Sequence, residues 1–143
     1  MNIAKEQLLV LVNENDEPVG LMEKMEVHQK ALLHRAFSVF LFNSKGEMLL
    51  QRRALEKYHS GGLWTNTCCS HPYPDETPSQ AATRRMREEL GFETTVEPAF
   101  SFIYKAALDN ELTEYEFDHV LIGEYDGPVF PNKDEVVDYC YMH

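Results

Sequence analysis

Apolar side chains along the chain fall into short runs that are typical of β-strands. Residues 8–12 are apolar throughout, and the turn-rich residues 13–20 after them predict a hairpin. Residues 35–43 form a strongly β-prone run, and the Asn-Ser-Lys-Gly turn at its end predicts that residues 47–53 return as a second strand. Residues 21–33 have only a weak apolar pattern, which predicts at most a partial helix.

One helix is predicted with both ends defined. The Thr-Pro-Ser-Gln sequence that starts at Thr77 matches a capping box with proline in the first turn, and Gly91 stands where a helix ends in a left-handed glycine. An apolar stripe at i, i+4 and i+8 runs between these ends. The neighbouring stripe places Arg85 and Glu89 on one face.

The C-terminal half predicts long strands. Residues 95–108 and 113–125 form two of them, joined by a short loop, and residues 135–141 form a last strand. Three acidic residues alternate along the second strand and therefore point to one face. They are Glu114, Glu116 and Asp118. Strands mixed with one dominant helix predict an α/β or α+β fold.

Composition places the chain among globular proteins. With 143 residues, of which 43% are hydrophobic, residues 1–143 are expected to form a single domain. The apolar runs are too short to span a bilayer and no signal peptide is visible, so we expect a cytoplasmic protein without a membrane partner. Three cysteines, two of them adjacent, make a poor disulfide framework. A net charge of −11 argues against a nucleic-acid partner, because a phosphate backbone would be repelled.

Positive charge is nevertheless concentrated. Nearly half of the 13 lysines and arginines fall into two clusters, around Arg52–Lys57 and around Arg84–Arg87. Such clusters suit a small anionic ligand that carries phosphate, whose charge a metal ion would help to neutralise. Ordinary surface salt bridges are an equally good interpretation of the pattern.

A short stretch combines thiols with an imidazole. Residues 63–72 have the sequence Leu-Trp-Thr-Asn-Thr-Cys-Cys-Ser-His-Pro. A proton donor or nucleophile beside a metal ligand has this composition, and so does a buried strand end with two inert cysteines. In an extended strand, Cys69 and His71 share one face, whereas Cys68 points to the other.

Histidines and carboxylates suggest a metal site. His28, His34 and His71 are spread along the chain, and Glu114 and Glu116 share a strand face. Imidazole and carboxylate ligands together suit a Zn²⁺- or Mn²⁺-type ion. Two neighbouring carboxylates repel each other unless a cation or a shared proton lies between them. A solvated acidic strand edge with scattered surface histidines is the alternative.

The predicted helix and the residues just before it carry charged side chains at a defined spacing. They are Glu76, Arg84 and the Glu-Glu-Leu-Gly sequence of residues 88–91. This spacing resembles the Nudix box, in which glutamates hold Mg²⁺ against a diphosphate. Ser70 stands in place of the first glycine, and Arg85 in place of the first glutamate of the Arg-Glu pair. These departures imply a site that grips a diphosphate without cleaving it. A plain amphipathic surface helix is the other interpretation.

Several longer blocks of the sequence belong together. The blocks are residues 32–43, Trp-Thr-Asn-Thr-Cys-Cys-Ser-His-Pro at 64–72, residues 84–91, Tyr-Lys-Ala at 104–106 and Glu-Tyr-Glu at 114–116. In this order they resemble type I isopentenyl-diphosphate Δ-isomerases of the Nudix superfamily. The resemblance implies a Nudix-like mixed β-sheet sandwiched between helices. It also implies the interconversion of isopentenyl and dimethylallyl diphosphate, in isoprenoid biosynthesis, through a carbocation-like intermediate.

The resemblance further implies roles for single residues. The catalytic groups would be the Cys69 thiol, Glu116 as the opposing acid or base, and Tyr104 beside it. One divalent ion (Zn²⁺, Mn²⁺ or Mg²⁺) would be held by His28, His34, His71, Glu114 and Glu116. A Mg²⁺ that bridges the diphosphate would be held with the help of Glu89. The diphosphate itself would be bound by Lys24, Arg53, Lys57 and Arg85.

Members of this family continue beyond the strand that ends at Tyr141, with helices and a tryptophan that packs over the cation. The only tryptophan here is Trp64, so we expect this chain to lack that C-terminal segment and its indole. The family implies a monomer or weak homodimer. Two alternatives stay open, a Nudix hydrolase of a nucleoside diphosphate derivative, which Arg85 disfavours, and a non-catalytic relative that binds metal and diphosphate.

Overall fold

Nine strands and two helices are formed by residues 7–55, 61–108 and 110–143, the part of the chain that the computed structural model describes. The strands are β1 (Leu8–Val12), β2 (Pro18–Glu23), β3 (His34–Phe42), β4 (Met48–Arg53), β5 (Trp64–Thr65), β6 (Cys68–Ser70), β7 (Val96–Ala107), β8 (Thr113–Glu124) and β9 (Val136–Met142). The helices are α1 (Lys24–Lys30) and α2 (Pro78–Leu90). All strands join one mixed sheet, which confirms the predicted α/β (α+β) architecture.

Strand β3 is the centre of the sheet. It pairs with β8 in parallel along its whole length, so that His34 lies beside Glu116. On its other side β6 pairs with it antiparallel, and Cys69 lies directly opposite Ser38. Neighbours on both edges explain why β3 is almost continuously apolar. The pairing brings a thiol and a carboxylate to the two flanks of one strand.

Hairpins extend the sheet outward from this centre. The predicted β1–β2 hairpin is present, as is the long β7–β8 hairpin, which places Tyr104 opposite Glu116. Residues 21–33 are partly helical, as expected, because β2 runs directly into α1. The Glu23 carboxylate caps α1 by accepting hydrogen bonds from the backbone N–H groups of Met25 and Glu26.

Helix α2 has the predicted ends. The Thr77 side chain accepts from the backbone N–H of Gln80, whose own side chain accepts from that of Thr77, and Gly91 ends the helix with φ 73°. Its apolar stripe packs into the main core beside Phe37, Val39 and Leu41 of β3. Neither helix of the described residues is long and apolar enough to cross a lipid bilayer.

Candidate active site and metal centre

Most of the predicted site residues line one cavity of about 390 Å³. Those expected to act in catalysis or metal binding are Cys69, His71, Tyr104, Glu114 and Glu116. Those expected to bind the diphosphate and its magnesium ion are Lys24, Arg53, Arg85 and Glu89. The fourth predicted diphosphate ligand, Lys57, lies outside the described residues. Strands β4, β6, β7 and β8 and helices α1 and α2 therefore bring distant sequence motifs to one place.

Three histidines and a glutamate form a compact group, two members of which, His71 and Glu116, line this cavity. One ligand atom from each of His28, His34, His71 and Glu116 lies within 4.8 Å of the others. The backbone carbonyl of Lys24 is 2.7 Å from Nδ1 of His28, and that of Leu32 is 2.9 Å from Nδ1 of His34. Because a carbonyl only accepts, each Nδ1 carries a proton, and each Nε2 is left to face the other members of the group. Such second contacts commonly orient metal-binding histidines.

The protonation of this group also suits a divalent ion. The buried His34 Nε2 atom has no hydrogen-bond partner among the described residues and lies 3.5 Å from Glu116 Oε2. Burial lowers the pKa of His28, and it lowers that of His71 to about 3, so both rings are neutral, as metal ligands must be. An unpaired buried nitrogen costs about 1–3 kcal/mol, which an ion would recover. These four residues therefore fit a divalent cation.

Glu116 is ionised and accepts a hydrogen bond from Tyr104. Burial alone would raise the pKa of Glu116, but the facing His34 and His71 rings outweigh burial and keep its pKa below the usual range. The Tyr104 hydroxyl donates to Glu116 Oε1 at 2.7 Å. Burial, followed by the Glu116 charge, raises the pKa of Tyr104 far above its ordinary value, so the phenol keeps its proton.

Glu114 stands apart from the compact group. Its Oε1 atom lies 3.2 Å from the Tyr104 hydroxyl, and like Glu116 it lines the cavity. Burial and the neighbouring Glu116 charge raise the pKa of Glu114 to about 7. Four of the five predicted ligands thus converge, and Glu114 is their neighbour; its role as fifth ligand stays a prediction.

The two adjacent cysteines occupy different environments. Cys68 is fully buried and belongs to the main core, whereas Cys69 is half-buried and lines the cavity. Burial, followed by the Glu89 charge, raises the pKa of Cys69 to about 12. At neutral pH the Cys69 group is therefore a thiol that can donate a proton, in the same cavity as the ionised Glu116.

Three of the cations predicted to bind the diphosphate line the same cavity. Lys24, Arg53 and Arg85 all contribute to the lining. Burial lowers the pKa of Lys24, and the positive charges of Arg85 and Arg53 lower it further. Like charges held together in this way are destabilised until an anion binds between them. The arrangement suits a diphosphate.

Glu89 and Arg85 form an ion pair in the same cavity, as their shared helix face predicts. Two Arg85 nitrogens, Nε and Nη2, donate to Glu89 Oε2, and further bonds reach Glu88 at 2.9 Å and Glu135 at 3.2 Å. Glu89 is only 4% exposed, and a buried carboxylate beside an anion site supplies the oxygen ligand that Mg²⁺ prefers.

The sequence interpretation missed Gln51, which lines the cavity and donates to Glu89 at 2.8 Å. Its signal was weak, a single polar residue on the buried face of β4, where Leu49 is the preceding inward position. It missed Glu135 as well, because that residue lies in the loop before β9, far along the chain from Arg85.

Known proteins similar to this chain agree with the motifs. The NUDIX domain family model matches residues 32–143. Isopentenyl-diphosphate Delta-isomerase 2 of Photorhabdus laumondii is 51% identical over 138 residues, which cover 96% of this chain and 78% of that protein. The isopentenyl-diphosphate Delta-isomerase of Pectobacterium atrosepticum is 54% identical over 134 residues, which cover 94% of this chain and 75% of that protein.

Solved structures show the same fold. The crystal structure of DR0079 from Deinococcus radiodurans superposes with a TM-score of 0.77 at 25% identity, covering 94% of this chain and 82% of that one. The MutT protein from Methanosarcina mazei Go1 has a TM-score of 0.66 at 20% identity and covers 77% of this chain and 76% of that one, a likeness in fold alone.

Proposed function

This chain belongs to the isopentenyl-diphosphate Delta-isomerase family and carries a NUDIX domain, and on that premise we propose that it isomerises isopentenyl diphosphate to dimethylallyl diphosphate. The observation that carries the proposal is the combination of side chains that line one cavity. A protonated Cys69 thiol and the ionised Glu116 carboxylate line it together with Lys24, Arg53 and Arg85.

The reaction needs an acid and a base at two carbons. One proton is added to the terminal alkene carbon and another is removed from the allylic carbon, so that the double bond moves and no proton is gained overall. A tertiary carbocation-like species lies between the two steps. Positioned proton donors and acceptors typically contribute about 10²–10⁴-fold to such rates.

Cys69 and Glu116 are suited to these two tasks. Strand β6 carries Cys69 and strand β8 carries Glu116, on the two flanks of β3. We infer that they reach a bound alkene from different directions, with one group supplying a proton and the other removing one. Tyr104 orients Glu116 through its 2.7 Å hydrogen bond and remains protonated throughout.

The cations bind the diphosphate and so position the alkene. Lys24, Arg53 and Arg85 supply this charge, and the family resemblance adds Lys57. Binding energy from the diphosphate, which does not react, holds the poorly reactive alkene against Cys69 and Glu116. Exclusion of water protects the carbocation-like intermediate from capture as an alcohol.

Two divalent ions are part of the proposal. His28, His34, His71 and Glu116, with Glu114 as a further ligand, would hold a Zn²⁺, Mn²⁺ or Mg²⁺ ion. Glu89 would help to hold Mg²⁺ on the diphosphate. When bound, these ions supply positive charge that sets the ionisation of Glu116 and offsets that of the diphosphate.

Isomerisation in D₂O tests the proposal. Protein loaded with divalent metal is incubated with isopentenyl diphosphate and Mg²⁺, and the product is analysed by NMR and mass spectrometry. We expect deuterated dimethylallyl diphosphate from the parent and from Cys140→Ser, whose free thiol lies outside the cavity lining. Cys69→Ala and Glu116→Gln are expected to lose at least about 100-fold in rate.

Absence of both deuterium and product, in metal-replete parent protein, would overturn the proposal. Release of orthophosphate from nucleoside diphosphate derivatives would instead support the hydrolase alternative. Bound metal and diphosphate affinity without turnover, equal in the parent and Cys69→Ala, would support a non-catalytic binding protein.

A further inference from the structure

The two carboxylate oxygens of Glu89 are bound by different kinds of donor. Oε1 accepts a hydrogen bond of 2.8 Å from Nε2 of Gln51, a neutral amide. Oε2 accepts from the charged Arg85 guanidinium, at 2.8 Å from Nε. Glu89 is therefore held from the protein interior by Gln51 and from the helix surface by a cation.

The orientation of the Gln51 amide is unambiguous. Besides Glu89 Oε1, its Nε2 atom donates to the backbone carbonyl of Thr67 at 2.8 Å. A carboxylate and a carbonyl both only accept, so the amino group must face them and the amide cannot be flipped. Both N–H groups are used, and Gln51 is only 3% exposed.

Thr67 fixes Gln51 to the centre of the sheet. The fully buried Thr67 hydroxyl donates to the carbonyl of Leu49 at 2.6 Å and accepts from the N–H of Leu41 at 3.0 Å. Strands β3 and β4 are thus linked through Thr67 and Gln51 to helix α2. A buried network whose members are bonded in this way is rigid, and it confers that rigidity on Glu89 Oε1.

Arg85 differs from Gln51 in being able to exchange its partner. Its guanidinium is shared between Glu89, Glu88 and Glu135, and it lines the cavity beside the other cations. An incoming diphosphate can replace carboxylate on Arg85, because arginine binds either group with the same fork of donors. Gln51, being neutral, leaves the negative charge of Glu89 intact for a metal ion.

We propose that Gln51 is a positioning residue for the diphosphate-bound magnesium ion, a role that rests on the proposed function. It fixes Glu89 Oε1 so that Oε2 faces the ion when Arg85 turns to the diphosphate. Residues that orient a metal ligand typically contribute about 10–100-fold to metal affinity.

Metal binding measured without turnover tests this role. Inorganic diphosphate is mixed with protein whose histidine site is already filled, and Mn²⁺ is titrated while free Mn²⁺ is followed by electron paramagnetic resonance. Gln51→Met has a similar length but no donor, and Gln51→Glu places a second carboxylate beside Glu89. We expect both to bind Mn²⁺–diphosphate about 10–100-fold more weakly than the parent. Gln29→Leu, an exposed glutamine of α1, is expected to match the parent.

Two further readouts distinguish positioning from a general structural role. Metal at the histidine site, measured by elemental analysis, and the circular dichroism spectrum are expected to be unchanged in both Gln51 variants. Folded variants that bind Mn²⁺–diphosphate within twofold of the parent would overturn the role. So would a parallel loss of the histidine-site metal or of the fold, or a parent that binds no Mn²⁺–diphosphate.

The experiments can contradict the proposed isomerase function and the role of Gln51 independently of each other. A parent that binds Mn²⁺–diphosphate but does not isomerise isopentenyl diphosphate in D₂O would sink the isomerase proposal, while weakened binding in Gln51→Met would still support the positioning role. Conversely, an active parent whose Gln51 variants bind Mn²⁺–diphosphate normally would sink the role of Gln51 alone.

Discussion

At the scale of single residues, the strand alternation of β6 gives two neighbouring cysteines opposite environments. Cys68 points into the apolar core, where Val39 is its register partner, and Cys69 points into the cavity opposite Ser38. Desolvation favours the neutral form of a thiol, and at Cys69 it outweighs the opposing charge of Arg53. Cys69 is therefore suited to hold a proton, whereas a thiol nucleophile would need a lowered pKa.

The protonation of Cys69 predicts its alkylation behaviour in metal-free protein. Because the pKa of Cys69 is raised to about 12, the thiolate fraction at neutral pH is far smaller than for an ordinary thiol. We expect iodoacetamide to modify Cys69 slowly at pH 7, with a rate that still rises about tenfold per pH unit at pH 10. Peptide mass spectrometry measures the rate, and a plateau near pH 9 would contradict the raised pKa.

Tyr104 provides a second prediction at this scale. Replacement by Phe removes the 2.7 Å bond to Glu116, and a hydrogen bond to a charged group contributes about 1.5–3 kcal/mol. We expect Tyr104→Phe to lower kcat by about 10- to 100-fold. KM should change little, because Tyr104 is not one of the residues proposed to bind the diphosphate. Tyr139→Phe, on β9 and outside the cavity lining, serves as the control. An unchanged kcat would rule out the orienting role.

At the scale of elements, local sequence determines where α2 begins and ends. The capping box at Thr77 satisfies N–H groups of the first turn, and Gly91 adopts the left-handed conformation after the last turn. These ends determine where α2 starts and stops along its own axis. They therefore determine the position of Arg85 and Glu89 relative to Gln51 of β4.

Gly91 allows a matched test of this helix end. Gly91 and Gly46 have similar φ values of 73° and 75°, but a Cβ atom on Gly91 would lie 2.9 Å from the Phe130 carbonyl oxygen, whereas nothing lies within 4 Å at Gly46. We expect Gly46→Ala to lower the free energy of unfolding by about 1–2 kcal/mol and Gly91→Ala to lower it further. Urea unfolding measures both, and equal losses would show that the Phe130 contact is unimportant.

Strand pairing, in contrast, cannot be predicted from the sequence of any single element. The pattern of residues 35–43 and 113–125 predicts two strands, and β3 and β8 are indeed present there. Their parallel pairing, which brings His34 beside Glu116, depends on the whole sheet. Isolated strand patterns do not specify such distant partners, since many registers bury similar apolar surface.

At the scale of the whole molecule, the histidine–glutamate group links four parts of the chain. His28 comes from α1, His34 from β3, His71 from the segment after β6, and Glu116 from β8. Unfolding separates these ligands, so an ion that binds them favours the folded state.

Metal binding is therefore expected to stabilise the fold. Metal at 100 times its dissociation constant should raise the free energy of unfolding of stripped protein by about 2.7 kcal/mol. Scanning calorimetry with and without Zn²⁺ or Mn²⁺ measures this increment. His34→Gln is expected to abolish it, whereas His119→Gln, which lies outside the group, should retain it. An increment that survives in His34→Gln would place the ion elsewhere.

Much of the candidate site could be predicted because its residues lie at short, regular spacings within single strands and helices. The Cys69–His71 spacing, the Arg85–Glu89 face and the alternation of Glu114 and Glu116 follow from strand and helix periods alone. Gln51 could not be found in this way. A buried glutamine has no distinctive spacing, and its importance comes from Thr67 and Glu89, 16 and 38 residues away in sequence.

By itself, the sequence determined most of the elements, both ends of α2, the family and the candidate residues for proton transfer and metal binding, because periodicity and motif spacing are local properties. Tertiary structure alone decided which groups meet. It separated Cys69 from Cys68 by environment, left Glu114 beside the compact ligand group, and gave Arg85 three carboxylate partners. Distances and pKa values depend on burial and on neighbours from other strands, which no local pattern contains.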